Sequence, residues 1–321
     1  MFLAASFLLL TAVPTAAPGP ITRARYVMGT VCEITASTDR EIEAAFAEAV
    51  RVEKALLSTW SNESELARLN ARGTAQVSPE LWNVLSAASE WSEKTDGAFN
   101  PLVRPLIDRW KTRGSGEVPE PNTLALARTQ AAIGNLKFRP FRTIELSNGA
   151  AIEEGAFGKG YALDRVLSLF SDGSAAVLNF GGQLSVKGRT TVTVADPETR
   201  HHAIAEFTLV NASLSTSSGS ENSFVIGGRR FSHILDPRSG EALPPRGSVS
   251  VIADSGLEAD ILSTALYVMG STDGLLWCEA NRVAAMFINT DKSIQLSRQF
   301  RRTAGGLTIL DPHFQIKERH E

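Results

Sequence analysis

Residues 152–164 read Ile-Glu-Glu-Gly-Ala-Phe-Gly-Lys-Gly-Tyr-Ala-Leu-Asp, and their pattern decides how the chain is read. Glu153 and Glu154 close a short β-type run, Gly155, Gly158 and Gly160 follow, and from Tyr161 apolar residues recur at 163, 166, 167 and 170, the period of a helix with one buried face. A strand, a glycine loop and a helix start are expected here. Such a junction turns unpaired backbone N–H groups and the positive end of the helix dipole toward one point, where phosphate is the usual guest. A tight turn without a ligand has the same signature, so the glycines alone do not decide the matter.

Two more stretches carry chemistry. Glu258-Ala259-Asp260-Ile261-Leu262-Ser263-Thr264-Ala265 sets Asp260, Ser263 and Thr264 at i, i+3 and i+4, on one face of a helical turn. A carboxylate and two hydroxyls are hard oxygen donors of the kind Mg²⁺ or Ca²⁺ takes, with water or phosphate completing the shell. They also suit an ordinary helix start, where Asp caps and hydroxyls bond back to the backbone. Phe231-Ser232-His233-Ile234-Leu235-Asp236-Pro237 delivers His233 just before a proline turn. An imidazole titrating near neutral pH is a candidate proton carrier, though structural histidines occupy such places as often. The other histidines stand in polar or terminal contexts and receive no role. No Gly-x-Ser-x-Gly elbow occurs, and Ser217-Ser218-Gly219 reads as backbone hydrogen bonding around a ligand.

Composition removes several classes. The chain has 321 residues, 43% of them hydrophobic, enough for one large domain or two intimately packed ones. A net charge of −3 without a basic run leaves no electrostatic footprint for nucleic acid. Cys32 and Cys278 are the only cysteines and form no CxxC pair, so two buried thiols are expected. Phe2 to Val13 is apolar, too short to span a bilayer, and is followed by Pro14-Thr15-Ala16-Ala17-Pro18. It matches a secretory leader over 1–20, although a basic flank is missing, and no cysteine follows for a lipid anchor. A soluble, exported, periplasmic protein is expected, with one domain over 21–311 and a polar tail over 312–321.

Along the chain, Arg25 to Thr35 reads as a strand kinked at Met28-Gly29-Thr30. Thr38-x-x-Glu41 has the form of a capping box before Ile42, Phe46, Ala49, Val52 and Leu56, one buried helical stripe. A helical turn over Ser64 to Asn70 and a helix from Pro79 to Lys94 follow. Pro101 restricts Asn100 to an extended conformation, which is expected to leave its side chain free to project. Residues 113–122 read as a surface excursion, 123–132 as helix, 184–252 as mostly sheet, 257–269 and 273–280 as helices, and 283–289 and 306–310 as closing strands. The expected fold is α+β: one compact unit of two intertwined halves, helix-rich from 39 to 132 and mostly antiparallel sheet from 136 to 252. A ligand cleft lies between them.

Taken in order, Met28-Gly29-Thr30, Ser58-Thr59-Trp60 with Ser64-Glu65-Leu66, Gly97-Ala98-Phe99-Asn100-Pro101, Gly158-Lys159-Gly160-Tyr161-Ala162, Asn179-Phe180-Gly181-Gly182, His233-Ile234-Leu235-Asp236-Pro237 and Ala259-Asp260 with Ser263-Thr264-Ala265 resemble the FAD:protein FMN transferase (ApbE) family over roughly residues 25 to 290. The resemblance implies a Mg²⁺-dependent enzyme that splits the FAD pyrophosphate and moves FMN onto a threonine or serine hydroxyl of an acceptor redox protein, periplasmic or membrane-associated, releasing AMP. By matching positions, Met28, Trp60, Ala98, Phe99, Asn100, Glu153, Lys159, His233 and Ser263 would line the FAD site. Asp260, the Thr264 hydroxyl and the Ala156 carbonyl would hold the metal. Asp260, Lys159 and His233 would form the catalytic set, with Lys159 beside the phosphates and His233 as proton acceptor or phosphate donor.

The chain departs from the family pattern in three places. Glu153, followed by Glu154, stands where an Asp is usual, Gln183 where an Asp commonly follows the paired glycines, and Trp60 where a Tyr is common. A Mg²⁺-dependent FAD pyrophosphatase and a non-catalytic FAD-binding protein fit the same residues. All these readings need Ala156 and Asp260, distant in the chain, to meet.

Overall fold

The computed structural model describes residues 19–220 and 222–317, so nearly all of the expected leader lies outside the described residues. The segment expected as one kinked strand is a hairpin of β1 (Ile21–Val27) and β2 (Thr30–Ala36). Met28 and Gly29 form its turn at φ 53° and 72°, and positive φ at both central positions matches the twist of two-residue hairpins. Glu53 Oε1 accepts the Met28 N–H at 2.9 Å, which holds a side-chain-bearing residue in that uncommon conformation.

The capping box forms as expected. Thr38 Oγ1 accepts the Glu41 N–H at 3.2 Å and the Glu41 carboxylate accepts the Thr38 N–H at 3.0 Å, opening α1 (Asp39–Arg51). Its buried stripe of Ile42, Phe46 and Ala49 continues through a widened turn into Val52, Leu56 and Leu57. Next come α2 (Glu65–Arg72), β3 (Thr74–Gln76), α3 (Pro79–Lys94), α4 (Arg104–Trp110), α5 (Pro121–Gln130), β4 (Leu136–Arg139) and β5 (Thr143–Leu146). β3, β5 and β4 pair as a small sheet.

No strand leads into the glycine loop, which corrects the expectation for Ile152 to Glu154. Side-chain and backbone staples hold the segment instead: the Ile152 N–H donates to Asn70 Oδ1 at 2.8 Å and the Glu153 N–H to the Pro101 carbonyl at 2.8 Å. The helix that follows, α6 (Gly158–Leu167), starts ahead of the apolar periodicity, so Gly158 and Gly160 lie in its first turn.

The second half supplies β6 (Ala176–Phe180), β7 (Gln183–Lys187), β8 (Arg189–Ala195), β9 (Ala203–Val210), β10 (Ser213–Ser218), β11 (Ser223–Ile226), β12 (Arg229–Ser232) and β13 (Ser248–Ala253). It ends with α7 (Gly256–Asn281), β14 (Ala284–Ile288), β15 (Ser293–Leu296), α8 (Arg298–Thr303), β16 (Gly305–Ile309) and β17 (Gln315–Ile316). Nine strands form the main sheet in the order β1-β2-β6-β7-β10-β13-β14-β15-β17, antiparallel except at β15–β17. One face packs with α1, α6 and α7 around Phe46, Leu178, Val251 and Leu262; the other packs with β8, β9 and α8 around Phe207, Met286 and Phe300. A third cluster joins α4 and α5 to β11 and β12, where Trp110 Nε1 donates to the Gly240 carbonyl at 2.8 Å and ties the two halves together.

Two sequence readings change in detail. The two late helices are one element, broken at Gly270 by φ 78° and ψ 171°. Part of the expected tail joins the sheet as β17, anchored by buried Phe314, while 318–321 lie outside the described residues. Cys32 and Cys278 are free and buried as expected, and burial pushes the Cys32 thiol up to about 12.

Candidate active site

α6 crosses α7 at two glycines. A Cβ on Gly160 would sit 2.2 Å from the Gly256 carbonyl oxygen and 2.6 Å from the Asp260 Cβ, so only glycine permits this approach. It lets the Gly160 N–H donate to Asp260 Oδ2 at 2.9 Å across 100 residues of chain. Gln183 Nε2 donates to Oδ1 at 2.8 Å. Asp164 returns the contact by accepting the N–H groups of Gly256 at 2.5 Å and Leu257 at 2.9 Å, and so holds the start of α7. Buried Asp260 thus has both oxygens fixed. Burial pushes its carboxyl up to about 6, opposed by Lys159, the Gly160 N–H and Gln183, and leaves it ionised at neutral pH.

In front of Asp260 lies a cavity of about 540 Å³, within the range that holds a cofactor-sized ligand. Trp60, Ala98, Phe99 and Asn100 wall it from the first half, His233 and Phe224 from the second, and Glu153, Ala156, Lys159 and Thr264 lie along the base. A second cavity of about 520 Å³ shares Trp60, Glu153 and Lys159 with it and is bounded by Tyr26, Met28 and Glu53, which makes a bent trough.

Most of the residues singled out from the sequence therefore converge, and Met28 opens on the second limb. Ser263 lines neither limb: it is fully buried, its hydroxyl 3.1 Å from Ser215 Oγ and 2.9 Å from Ser217 Oγ, bracing α7 against β10. Asn100 lines the cavity, but its side chain is not free. Its Nδ2 donates to the Ala131 carbonyl at 2.8 Å and its Oδ1 accepts the Leu102 N–H at 2.8 Å. His233 Nδ1 is 3.0 Å from the Asn222 carbonyl oxygen, so this nitrogen carries the hydrogen. Burial lowers the imidazole's pKa, which keeps the ring neutral and its Nε2 able to accept a proton.

Arg113 escaped the sequence reading because it lies in what reads as a surface excursion. Its guanidinium sits 4.4 Å over the Trp60 ring and donates to Glu153 Oε1, while Arg104 Nη1 stands 3.6 Å from Glu153 Oε2. No period or motif marks these long-range partners. Burial, then the neighbouring Glu154, push the Glu153 carboxyl up to about 7 against the pull of Arg113 and Arg104. A carboxyl raised in the folded state from an unfolded value of about 4.3 gives stability that is complete below that value and is lost as pH rises through about 7. Relative to Glu153→Gln, the unaltered protein should lose on the order of 2 kcal/mol between pH 4.5 and pH 8. Urea unfolding at both pH values measures this, and parallel behaviour of the two proteins would contradict it.

The ApbE family model matches residues 28–287. This chain belongs to the ApbE family. It is 29% identical over 84% of its length to the FAD:protein FMN transferase of Salmonella typhimurium, covering 85% of that protein. It is 31% identical over 75% of its length to one from Klebsiella pneumoniae, covering 80% of that protein. The fold matches the crystal structure of the ApbE protein from Thermotoga maritima with a TM-score of 0.83 at 26% identity, over 89% of this chain and 99% of that one. The expected family and α+β architecture both hold, and the curated relatives are named for an enzyme activity.

Among the described residues of this ApbE chain, no group of three or more His, Cys, Asp or Glu side chains is placed to hold a metal. The residues that could supply donors are of another kind: Asp260 with a carboxylate, Thr264 with a hydroxyl and Ala156 with only its backbone, all three lining one cavity. Few hard oxygen donors, with phosphate and water left to complete the shell, fit Mg²⁺.

Proposed function

We propose that this chain is a Mg²⁺-dependent FAD:protein FMN transferase that attaches FMN through a phosphoester to a threonine or serine hydroxyl of an acceptor redox protein and releases AMP. The observation that carries this reading is the α6–α7 crossing, which brings Asp260, Lys159, Ala156 and Thr264 to the base of one trough. Trp60 offers a flat aromatic face for the flavin, and Ala98 and Phe99 offer apolar wall in the same cavity.

Asp260, the Thr264 hydroxyl and the Ala156 carbonyl would hold the cation, which when bound offsets charge on the pyrophosphate oxygens. Lys159 adds positive charge on the same side. The acceptor hydroxyl oxygen attacks the FMN phosphorus in line, and the bond from that phosphorus to the bridging oxygen breaks. AMP leaves with the bridge oxygen, and the hydroxyl proton passes to a base; His233, which lines the cavity and has Nδ1 held by the Asn222 carbonyl, is the residue assigned that role. The apolar leader supports an exported enzyme whose acceptors are periplasmic or membrane-associated.

AMP release from FAD and Mg²⁺, followed with and without acceptor, tests the reading. AMP should form with acceptor alone; equal AMP and free FMN without it would make the protein a pyrophosphatase, and no AMP in either case a flavin carrier. Trp60→Ala should weaken FAD binding about tenfold, since one aromatic face contributes roughly 1 kcal/mol beyond its buried area. Flavin fluorescence titration measures this, and unchanged affinity would remove Trp60 from the platform.

A further inference from the structure

Gln183 opens β7 directly after Gly181-Gly182, is 7% exposed, and lines the trough beside Asp260. Its Nε2 donates to Asp260 Oδ1 at 2.8 Å, which fixes the amide's orientation because an ionised carboxylate only accepts. The other end of the amide is thereby committed. Gln183 Oε1 is buried with no hydrogen-bond partner. Of the buried side-chain atoms left without a partner among the described residues, it alone belongs to a residue bonded to Asp260. A buried amide oxygen without a partner is unfavourable and rare, so its retention points to a partner that the chain does not supply.

We propose that Gln183 Oε1 is a further oxygen ligand of the cation assigned to Asp260, Thr264 and the Ala156 carbonyl. The inference rests on the metal reading above and adds a residue to it. An amide oxygen is a hard, neutral donor suited to Mg²⁺ or Mn²⁺. One amide then does two things: its NH₂ orients the Asp260 carboxylate and its oxygen meets the ion that the carboxylate binds. The site gains a donor without gaining a second negative charge beside Asp260.

Mn²⁺ serves as the probe, added to the full-length protein. Gln183→Met keeps the length of the side chain and removes both polar atoms. It should lower Mn²⁺ affinity at least about tenfold. At saturating Mn²⁺ it should also add one water to the inner shell, read from line broadening of the Mn²⁺ resonance in ¹⁷O-enriched water. Gln183→Glu, which keeps an oxygen at that place, should retain the original water count even if Gln183→Met folds poorly. An unchanged water count in Gln183→Met, or an added water in Gln183→Glu, would overturn the assignment and leave Gln183 as an orienting residue for Asp260. Asp260→Asn run in parallel separates the two readings, because Mn²⁺ binding unaffected by that change would remove the metal site itself.

Discussion

Asp260→Asn should reduce flavin transfer by about 10³-fold or more while leaving a cooperatively folded protein. The carboxylate is the one ionised oxygen donor among the residues assigned to the cation, so its neutral isostere removes the charge that binds the ion. The fold should tolerate the change. Asn can still accept the Gly160 N–H, and the Gln183 amide can turn so that its oxygen accepts from the new NH₂ group. Loss of a buried charge, already disfavoured enough to push the carboxyl up to about 6, offsets what the weaker hydrogen bonds lose. Asp260→Ala is the less clean variant, since it strands two buried donors at about 1–3 kcal/mol each. Acceptor modification and thermal unfolding, measured on the same preparation, check both halves of this expectation. Full activity in Asp260→Asn would remove the metal assignment.

Gly160→Ala should be strongly damaging although it adds a single methyl group. Its Cβ would meet the Gly256 backbone oxygen at 2.2 Å, and neither partner is a flexible side chain that can swing away. The helices must part, at a cost of about 3 kcal/mol. Parting them also withdraws the Gly160 N–H from Asp260 and shifts Lys159, so transfer should fall together with stability. Gly134→Ala is the matched control, because nothing lies within 4 Å of a Cβ there. Melting temperatures should drop for the first variant and hold for the second. Equal stability of the two would show that the crossing can relax, and that the glycines are not what brings the carboxylate to the trough.

What was legible in the sequence was local or carried by family motifs. The Thr38–Glu41 box, the stripe through Ile42 and Phe46, and the buried thiols needed no partner from elsewhere. The ordered motifs marked the trough because most of them lie on turns, loops or helix starts that line it. Errors fell where a distant segment decided the outcome. Met28 and Gly29 turned a strand into a hairpin because β1 had β2 to pair with and Glu53 to hold the turn. Ser263 shares a helical face with Asp260, yet the serines of β10 close over it. Asn100 spends its amide on the backbone of Ala131, and Arg113 folds back from an apparent surface excursion onto Trp60 and Glu153. None of these pairings leaves a trace in spacing or periodicity.

The central claim is that the trough transfers FMN instead of merely cleaving or storing FAD. Intact-mass and peptide mass spectrometry of a candidate acceptor, after incubation with this protein, FAD and Mg²⁺, tests it most directly. The account predicts one FMN attached to a threonine or serine, with one AMP released per modified acceptor. Unmodified acceptor beside accumulating free FMN and AMP, or beside intact FAD, would contradict it.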